Sequence, residues 1–251
     1  MIPVVLHHGL CGRGIHVGKF GWPPFQGIDR ALADAGYRVT VTAVHPTAGI
    51  ETRASQLKRW ILDGKKASGG QRVVLVAHSL GGLDARYMLS RLDMSRHVRS
   101  LVTVCTPHRG SPWADWCVEN VGRRLRVIEL VNRLGLDMQG VLDVTTESCR
   151  RFNTEILDVA GVEYFSISAA QPWRKMPAFS LVSWRTVSRI EGPNDGLVSV
   201  KSARWGRHLE TWQADHWHTA NRRLSREAIK IGDISPKYLA VLSAVAPLSL
   251  K

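Results

Sequence analysis

The 251-residue sequence predicts an α/β fold with a mostly parallel central sheet flanked by helices. Two observations carry this prediction. Short apolar runs typical of buried strands recur along the chain, and segments with helical spacing separate them. Parallel strands need such crossover connections, which are right-handed in nearly all cases. The length suffices for a full hydrophobic core and no linker divides it, so we expect one domain over residues 1–251.

The first half of the chain alternates between the two element types. Gly36 ends a helical pattern that begins at Pro23, because glycine favours the left-handed conformation found at helix ends. Leu57, Trp60 and Ile61 lie at the spacing of one helix face. We therefore expect strands at 2–6, 37–44, 72–77 and 98–105, and helices at 23–35, 51–66 and 80–91.

The second half departs from this rhythm over residues 112–160, where helical patterns follow one another without a strand. One face of this segment carries Val118, Val121, Leu125 and Ile128. A second apolar strip adjoins that face, so we interpret the segment as a cap whose helix is buried on two sides. A mobile lid with one face toward substrate is the alternative. A strand over 161–168 follows, and Ser235 as N-cap with Pro236 as first residue predicts a final helix.

The chain is strongly basic: 34 Lys and Arg against 21 Asp and Glu give a net charge of +13. Such a surplus suits nucleic acid, anionic lipid surfaces or anionic substrates. Nucleic acid is disfavoured because the basic residues are scattered and no zinc-finger or helix-turn-helix pattern appears. No apolar run reaches the roughly 20 residues that span a bilayer, and residues 1–6 lack the pattern of a signal peptide. We therefore expect a cytoplasmic protein.

The four cysteines have neither CxxC pairing nor metal-ligand spacing, which argues against a zinc site. Without a secretory signal, reduced thiols are the expectation. A bridge between Cys117 and Cys149 is the alternative.

The motif Ala77-His78-Ser79-Leu80-Gly81 is the strongest chemical signal. A strand is predicted just before it and a helix just after it. A strand-to-helix turn this sharp needs small residues two positions before and two after the serine. Such a turn exposes the serine hydroxyl and directs the following N–H toward a developing oxyanion. We expect Ser79 to be a nucleophile and Leu80 N–H to be an oxyanion donor.

A nucleophilic serine needs a base and an orienting acid, which in this architecture follow it in the order acid, then histidine. Asp195 lies in a glycine-containing turn, and His216 follows 21 residues later. We expect them to be the acid and the base. The rivals are His208 and His218 for the base and Asp215 for the acid, although neighbouring side chains rarely pair.

The loop after the first strand should supply the second oxyanion donor. His7-His8-Gly9-Leu10 occupies that position, and Leu10 N–H is the candidate. His7 and His8 resemble metal ligands. Adjacent residues on a strand point opposite ways, however, which favours a structural or loop-anchoring role.

These motifs resemble the α/β-hydrolase superfamily, in particular bacterial triacylglycerol lipases and esterases. The similar segments are His8-Gly9-Leu10, Ala77–Tyr87, Thr106–Ser111 and Asn194–Ser199. The resemblance implies a helical cap insertion on an α/β-hydrolase fold, and it implies Ser79, Asp195 and His216 as a triad with Leu10 and Leu80 as oxyanion donors. It also implies a serine carboxylic ester hydrolase that works through an acyl-enzyme and needs no cofactor.

The sequence departs from that family in two ways, one concerning a calcium site and the other concerning secretion. Many secreted members hold calcium through a carboxylate two residues after the catalytic histidine. Here that position is His218, and calcium prefers oxygen ligands, so we expect no metal site. Secreted members are also usually longer than this chain.

The substrate is less sharply indicated. Five tryptophans flank the motifs, namely Trp113, Trp116, Trp173, Trp184 and Trp217. With the apolar cap they favour a hydrophobic pocket and medium-chain esters, although packing of the cap on the sheet would explain most of them. An acyltransferase or thioesterase with the same triad is the alternative. Arg123, Arg124 and Arg126 in the cap suggest transient contact with anionic lipid surfaces.

Overall fold

A six-stranded parallel sheet forms the centre of the protein. The computed structural model describes residues 1–12, 24–67, 70–122 and 138–248. Within them the strand order is β2-β1-β3-β4-β5-β6, and every neighbouring pair is parallel. The strands are β1 (Pro3–His7), β2 (Arg38–Val41), β3 (Val73–His78), β4 (Val98–Val104), β5 (Glu163–Ala169) and β6 (Arg207–Trp212). The predicted α/β class and the flanking helices are confirmed.

The helices cover both faces of this sheet. Their bounds are α1 (Ile28–Asp34), α2 (Ile50–Ala67), α3 (Gly81–Arg91), α4 (Pro112–Cys117), α5 (Gln139–Asp143), α6 (Thr146–Glu155), α7 (Leu181–Glu191), α8 (Val200–Ala203), α9 (Arg226–Ile231) and α10 (Ser235–Val245). Helix α1 packs against α10, and α2 packs against α3. Among the described helices, none combines the length and apolarity that crossing a bilayer requires.

Strand alternation divides the core into two layers. Val4 and Leu6 of β1 belong to a cluster that includes α1 and α10, whereas Val5 packs with residues of α2 and α3. Successive side chains of a strand point to opposite faces, so a strand buried on both faces must be apolar throughout. This explains why β1 and β3 read as continuous apolar runs.

Two helix starts differ from the sequence prediction. Helix α1 begins at Ile28 and not near Pro23, because Phe25 (φ 54°) and Gly27 (φ 80°) adopt left-handed conformations that interrupt a helix. Ser235 is a residue of α10 and not its N-cap, because the cap position falls on Ile234. Asp233 Oδ1 accepts the backbone N–H and the hydroxyl of Ser235 instead.

The segment predicted to be a cap is helical where it is described. Helix α4 continues into a π-helical turn at Val118–Gly122, and α5 and α6 follow residue 138. Ser111 caps α4 through Trp113 N–H, and Thr145 caps α6 through Ser148 N–H. The predicted contacts of Leu125 and Ile128, and the arginines at 123, 124 and 126, lie outside the described residues. The single domain and the cap insertion at 112–160 stay predictions.

All four cysteines are free in the structure, and the reduced state stays a prediction. Cys149 is buried, and its thiol donates to Pro107 O and Asp143 O at 3.3 and 3.4 Å. Burial raises the pKa of Cys149 to about 12, which keeps the thiol protonated.

Candidate active site

Ser79 lies in a sharp turn between β3 and α3. Its φ is 56°, in the left-handed region that non-glycine residues rarely adopt, and its N–H donates to Val104 O at 2.9 Å. A Cβ added to Gly81 would lie 2.9 Å from His8 O, so only glycine fits where α3 passes the loop after β1. The strained turn predicted for the motif is therefore present, with small residues where the chain is crowded.

The turn brings Ser79 together with the two residues predicted to be its partners. Ser79 Oγ and His216 Nε2 are 3.1 Å apart, and His216 Nδ1 and Asp195 Oδ2 are 2.7 Å apart. A carboxylate only accepts hydrogen bonds when ionised, so Nδ1 carries the proton and Nε2 is left to accept from the serine hydroxyl. Asp195 is wholly buried, and Leu197 N–H and Val198 N–H donate to its Oδ1. The three side chains form one continuous chain of hydrogen bonds.

The structure does not bring the rival residues to Ser79. Asp215 points away from His216, and its carboxylate accepts from Trp217 N–H, His218 N–H and Ser225 Oγ at 2.9–3.1 Å. Burial raises the pKa of Asp215. This carboxylate therefore holds the His216 loop in shape.

The two rival histidines also have other partners. His218 begins a 3₁₀ turn, where it is wholly buried, and its Nε2 donates to Gly232 O at 2.9 Å. It therefore packs beneath the His216 loop. His208 lies on β6, where its ring contacts Ser166, Ser168 and Thr211.

The loop after β1 lies directly against Ser79. A Cβ on Gly9 would lie 2.6 Å from Ser79 Cβ and 3.1 Å from Ser79 Oγ, which explains the glycine. Leu10 follows it and lines the cavity in front of the serine, and Leu80 is the N-cap residue of α3. Both residues flank the serine, and their roles as oxyanion donors stay predictions.

A cavity of about 600 Å³ opens in front of Ser79. Its wall is largely apolar and comes from the β1 loop, the His216 loop and residues near Phe25, Phe179 and Leu224. Cavities of this size accommodate small organic ligands. Of the five tryptophans that flank the motifs, Trp217 lines the described part of this cavity. Trp184 instead packs beside the acid loop, where its indole N–H donates to Gln171 O.

Comparison with known proteins identifies the fold that carries this geometry. Residues 2–125 match the model of the alpha/beta hydrolase fold. The mature form of Bacillus licheniformis lipase BlEst2 superposes with a TM-score of 0.73 at 23% identity, over 96% of this chain and 91% of that one. The chain has the α/β-hydrolase fold.

Several curated relatives carry the name triacylglycerol lipase. Triacylglycerol lipase 2 of Saccharomyces cerevisiae is 31% identical over 208 residues, which cover 78% of this chain and 61% of the yeast protein. A triacylglycerol lipase of Vibrio cholerae is 28% identical over 253 residues, covering 87% of this chain and 79% of that protein. The chain thus spans about three fifths of the length of the yeast relative.

A buried ion pair that sequence reasoning missed supports the β1 loop. Arg53 of α2 is wholly buried, and its Nε donates to Asp84 Oδ2 of α3 at 2.9 Å. Its Nη2 donates to His8 O at 2.6 Å and to Gly9 O at 3.4 Å. The C=O and N–H of a trans peptide point in opposite directions, so anchoring Gly9 O turns Leu10 N–H away from Arg53.

The adjacent histidines anchor the same loop. His7 bridges Thr42 Oγ1 and Asp84 Oδ2 at 2.8 and 2.9 Å, and His8 Nε2 accepts from Val44 N–H. The loop-anchoring role is confirmed, but the expected opposite orientation is wrong. The rings lie 5.9 Å apart and nearly parallel, because β1 ends at His7 and strand alternation stops there.

His78 is a second residue whose place the sequence did not reveal. Its ring lies 4.7 Å from the ring of His216, and its Nε2 is 2.9 Å from Thr219 Oγ1. Thr219 Oγ1 in turn donates to His216 O at 2.7 Å. Burial, and next the neighbouring His216, hold the pKa of His78 well below its ordinary value, so this ring is neutral beside the base.

One group of side chains near the serine has the donor types of a metal site. Cys105, Asp195 and His216 each place a ligand-type atom within 4.8 Å of the other two. Zinc accepts thiolate, carboxylate and imidazole. Burial, and next the Asp195 charge, raise the pKa of Cys105 well above its ordinary value, and Asp195 and His216 already bond to each other. This set favours a hydrogen-bonded cluster over a metal site, and the expectation of no metal stays a prediction.

Proposed function

We propose that this α/β-hydrolase is a serine carboxylic ester hydrolase. The observation that carries the proposal is the continuous hydrogen-bonded chain from Ser79 Oγ through His216 to Asp195, which faces an apolar cavity. The relatives named triacylglycerol lipase support the same reaction class. Because the chain spans only part of the yeast relative, the activity itself remains for experiment.

The mechanism follows from the proton positions. His216 Nε2 takes the Ser79 proton as Oγ attacks the ester carbonyl, and Asp195 holds the imidazole in the required tautomer and stabilises the imidazolium. Leu80 N–H and Leu10 N–H stabilise the oxyanion that develops. His216 then donates its proton to the leaving alcohol, which gives an acyl-enzyme, and water attacks the acyl-enzyme by the reverse sequence. No step requires a cofactor.

The cavity favours an apolar acyl chain. Leu10, Phe25 and Leu224 contribute apolar surface near the serine, and Trp217 lies beside the His216 loop. A volume of about 600 Å³ suits a medium-length chain better than a short acetyl group, because an acetyl group would leave most of this surface wet. We therefore propose medium-chain esters as substrates.

A chain-length series of p-nitrophenyl esters tests the proposal. Ser79→Ala should lose at least about 10³-fold in kcat/KM, because the nucleophile is gone. Ser95→Ala is the control, because Ser95 precedes the amino end of β4 and Ser79 follows the carboxyl end of β3, so the two serines lie at opposite ends of the strands. A fluorophosphonate probe should label Ser79 in the wild type and in the control variant. Full activity in Ser79→Ala, or labelling elsewhere, would refute the nucleophile assignment. Faster acyl transfer to an added alcohol or thiol than to water would favour the acyltransferase alternative.

We also propose that the surface beside the cavity mouth contacts anionic lipid. Phe179 lines the cavity and is 63% exposed, and Val182 on α7 is 60% exposed. Arg174 and Arg185 are exposed in the same stretch of chain. Exposed apolar residues flanked by arginines are typical of surfaces that bind the lipid interface.

Co-sedimentation with lipid vesicles measures binding by this surface and does not depend on catalytic activity. Val182→Asp combined with Arg185→Glu should weaken binding to vesicles that contain phosphatidylglycerol, and salt should weaken wild-type binding. Leu157→Asp with Arg207→Glu is the matched control, since Leu157 precedes β5 and Arg207 opens β6, near the amino ends of the strands. Equal losses in both variants would refute the assignment of this surface.

A further inference from the structure

A buried thiol lies beneath the proposed triad. Cys105 directly follows β4, and its backbone N–H donates to Ile167 O of β5 at 2.9 Å. Its φ is 51°, so a non-glycine residue occupies the left-handed region here as well. The side chain is wholly buried, and its Sγ lies within 4.8 Å of an Asp195 carboxylate oxygen and a His216 ring nitrogen. The strained backbone thus places a thiol beside the acid of the triad.

The Asp195 carboxylate has room for one more donor. Its Oδ1 accepts from Leu197 N–H at 2.9 Å and Val198 N–H at 2.8 Å, and its Oδ2 accepts from His216 Nδ1 at 2.7 Å. An ionised carboxylate offers about four acceptor positions. Asp195 is wholly buried, where an unfilled position is costly. The Cys105 Sγ lies within 4.8 Å of a carboxylate oxygen of Asp195 and is placed to fill the fourth position.

We propose that Cys105 is a positioning residue whose S–H donates to Asp195 and keeps Oδ2 in line with His216 Nδ1. This role rests on the proposed serine hydrolase mechanism. Burial, reinforced by the Asp195 charge, raises the pKa of the thiol well above its ordinary value. Cys105 therefore retains the proton that it donates and is not a nucleophile.

The donor has a specific effect on proton binding by the Asp195–His216 pair. When His216 is neutral, Asp195 carries an uncompensated charge and the thiol stabilises it most. When His216 is protonated, the imidazolium already compensates that charge. Removing the thiol therefore favours the state in which His216 is protonated. The other titratable groups that face this cluster are Asp215, His78 and Tyr238.

Two substitutions test the proposal by kinetics. Cys105→Ala should lower kcat about tenfold, the effect of roughly 1.4 kcal/mol from one hydrogen bond to a charged group, and should move the acid limb of kcat/KM upward by about half a pH unit. Cys105→Ser restores a donor and should keep kcat and the acid limb within about twofold and about 0.2 units of the wild type. An unchanged acid limb in folded Cys105→Ala would overturn the proposal.

Infrared spectroscopy tests the contact itself. Thiol S–H stretching falls in a window that is free of other protein bands, and subtracting the Cys105→Ser spectrum assigns the Cys105 band. Asp195→Asn should move this band to higher frequency, because a neutral amide accepts more weakly than a carboxylate. A band that does not respond to Asp195→Asn would overturn the proposal, even if Cys105→Ala failed to fold. Activity that survived in Ser79→Ala would defeat the proposed function but would leave this comparison intact.

Discussion

Replacing Arg53 with methionine tests whether the buried ion pair supports the β1 loop. Arg53 is wholly buried and donates to Asp84 Oδ2, His8 O and His45 O. Methionine fills a similar space but removes the guanidinium that neutralises the buried Asp84 carboxylate. His7 is then the remaining described hydrogen-bond partner of that carboxylate. Removing one partner of a buried pair typically costs about 3–5 kcal/mol. For a domain of this size that loss lowers Tm by roughly 6–20 °C.

The pH dependence distinguishes this mechanism from simple loss of packing. In the wild type, burial holds the pKa of His7 below its ordinary value, Asp84 raises it, and the Arg53 charge lowers it. Without Arg53, His7 takes up a proton more readily and compensates Asp84. The folded variant then binds more protons than the folded wild type, so its stability deficit shrinks as pH falls from about 8 to about 6.

Urea denaturation at several pH values measures the deficit, and the double variant Arg53→Met/Asp84→Leu is the control. Removing both charges should restore part of the stability that Arg53→Met loses. Ester hydrolysis by Arg53→Met should also fall, by up to about 10²-fold, because Leu10 N–H loses its fixed orientation. A deficit that is independent of pH, together with a double variant less stable than Arg53→Met, would refute the reasoning.

Three further predictions follow from the same contacts. Burial holds the pKa values of His8, His78 and His108 well below 6.5, so below this pH the unfolded chain binds more protons than the folded chain. The free energy of unfolding should therefore fall as pH drops below about 6.5, by up to about 1.4 kcal/mol per pH unit for each histidine. Urea midpoints across this range measure the slope, and a flat profile would contradict the prediction. Gly82→Ala should destabilise the fold by about 1–3 kcal/mol, because the new Cβ would lie 2.1 Å from Thr106 Oγ1, which donates to Ser79 O. Gly64→Ala in α2 is the control: a Cβ there would meet nothing within 4 Å and should stabilise the fold by about 0.5–1 kcal/mol. Equal Tm changes in the two variants would contradict the prediction. A calcium chelator should leave Tm and activity unchanged, because the Asp215 carboxylate that holds the His216 loop already bonds to protein donors; a large loss of either would reveal a metal.

Local patterns were enough to predict the elements that position the site. The strands β1 and β3 are buried on both faces, so they read as apolar runs, and the turn at Ser79 needs small residues at fixed offsets. The order of Ser79, Asp195 and His216 along the chain then suggested which residues meet. Each of these signals can be read from a few neighbouring residues or from the order of residues along the chain.

Features that depend on distant contacts could not be predicted. Strand β6 carries Arg207 and Glu210 among partly buried residues at the sheet edge, so no apolar run marks it. Arg53 and Asp84 lie 31 residues apart on two helices, and nothing local to either shows that they pair. Phe25 looks compatible with a helix, but its left-handed backbone is set by burial among distant core residues. Tertiary packing decides all three.

The packing of α1 against α10 has a consequence for how the protein is made. The face of β1 that carries Val4 and Leu6 is covered by Leu242 and Val245, which the ribosome adds more than two hundred residues later. Until then the nascent chain presents a long apolar surface, which is a natural binding site for chaperones. Ser79 also needs His216, which lies 137 residues further along the chain, so the proposed hydrolytic activity should appear only after His216 has been synthesised. A chain truncated before α10 would be recognised by quality control rather than persist as a partly active fragment.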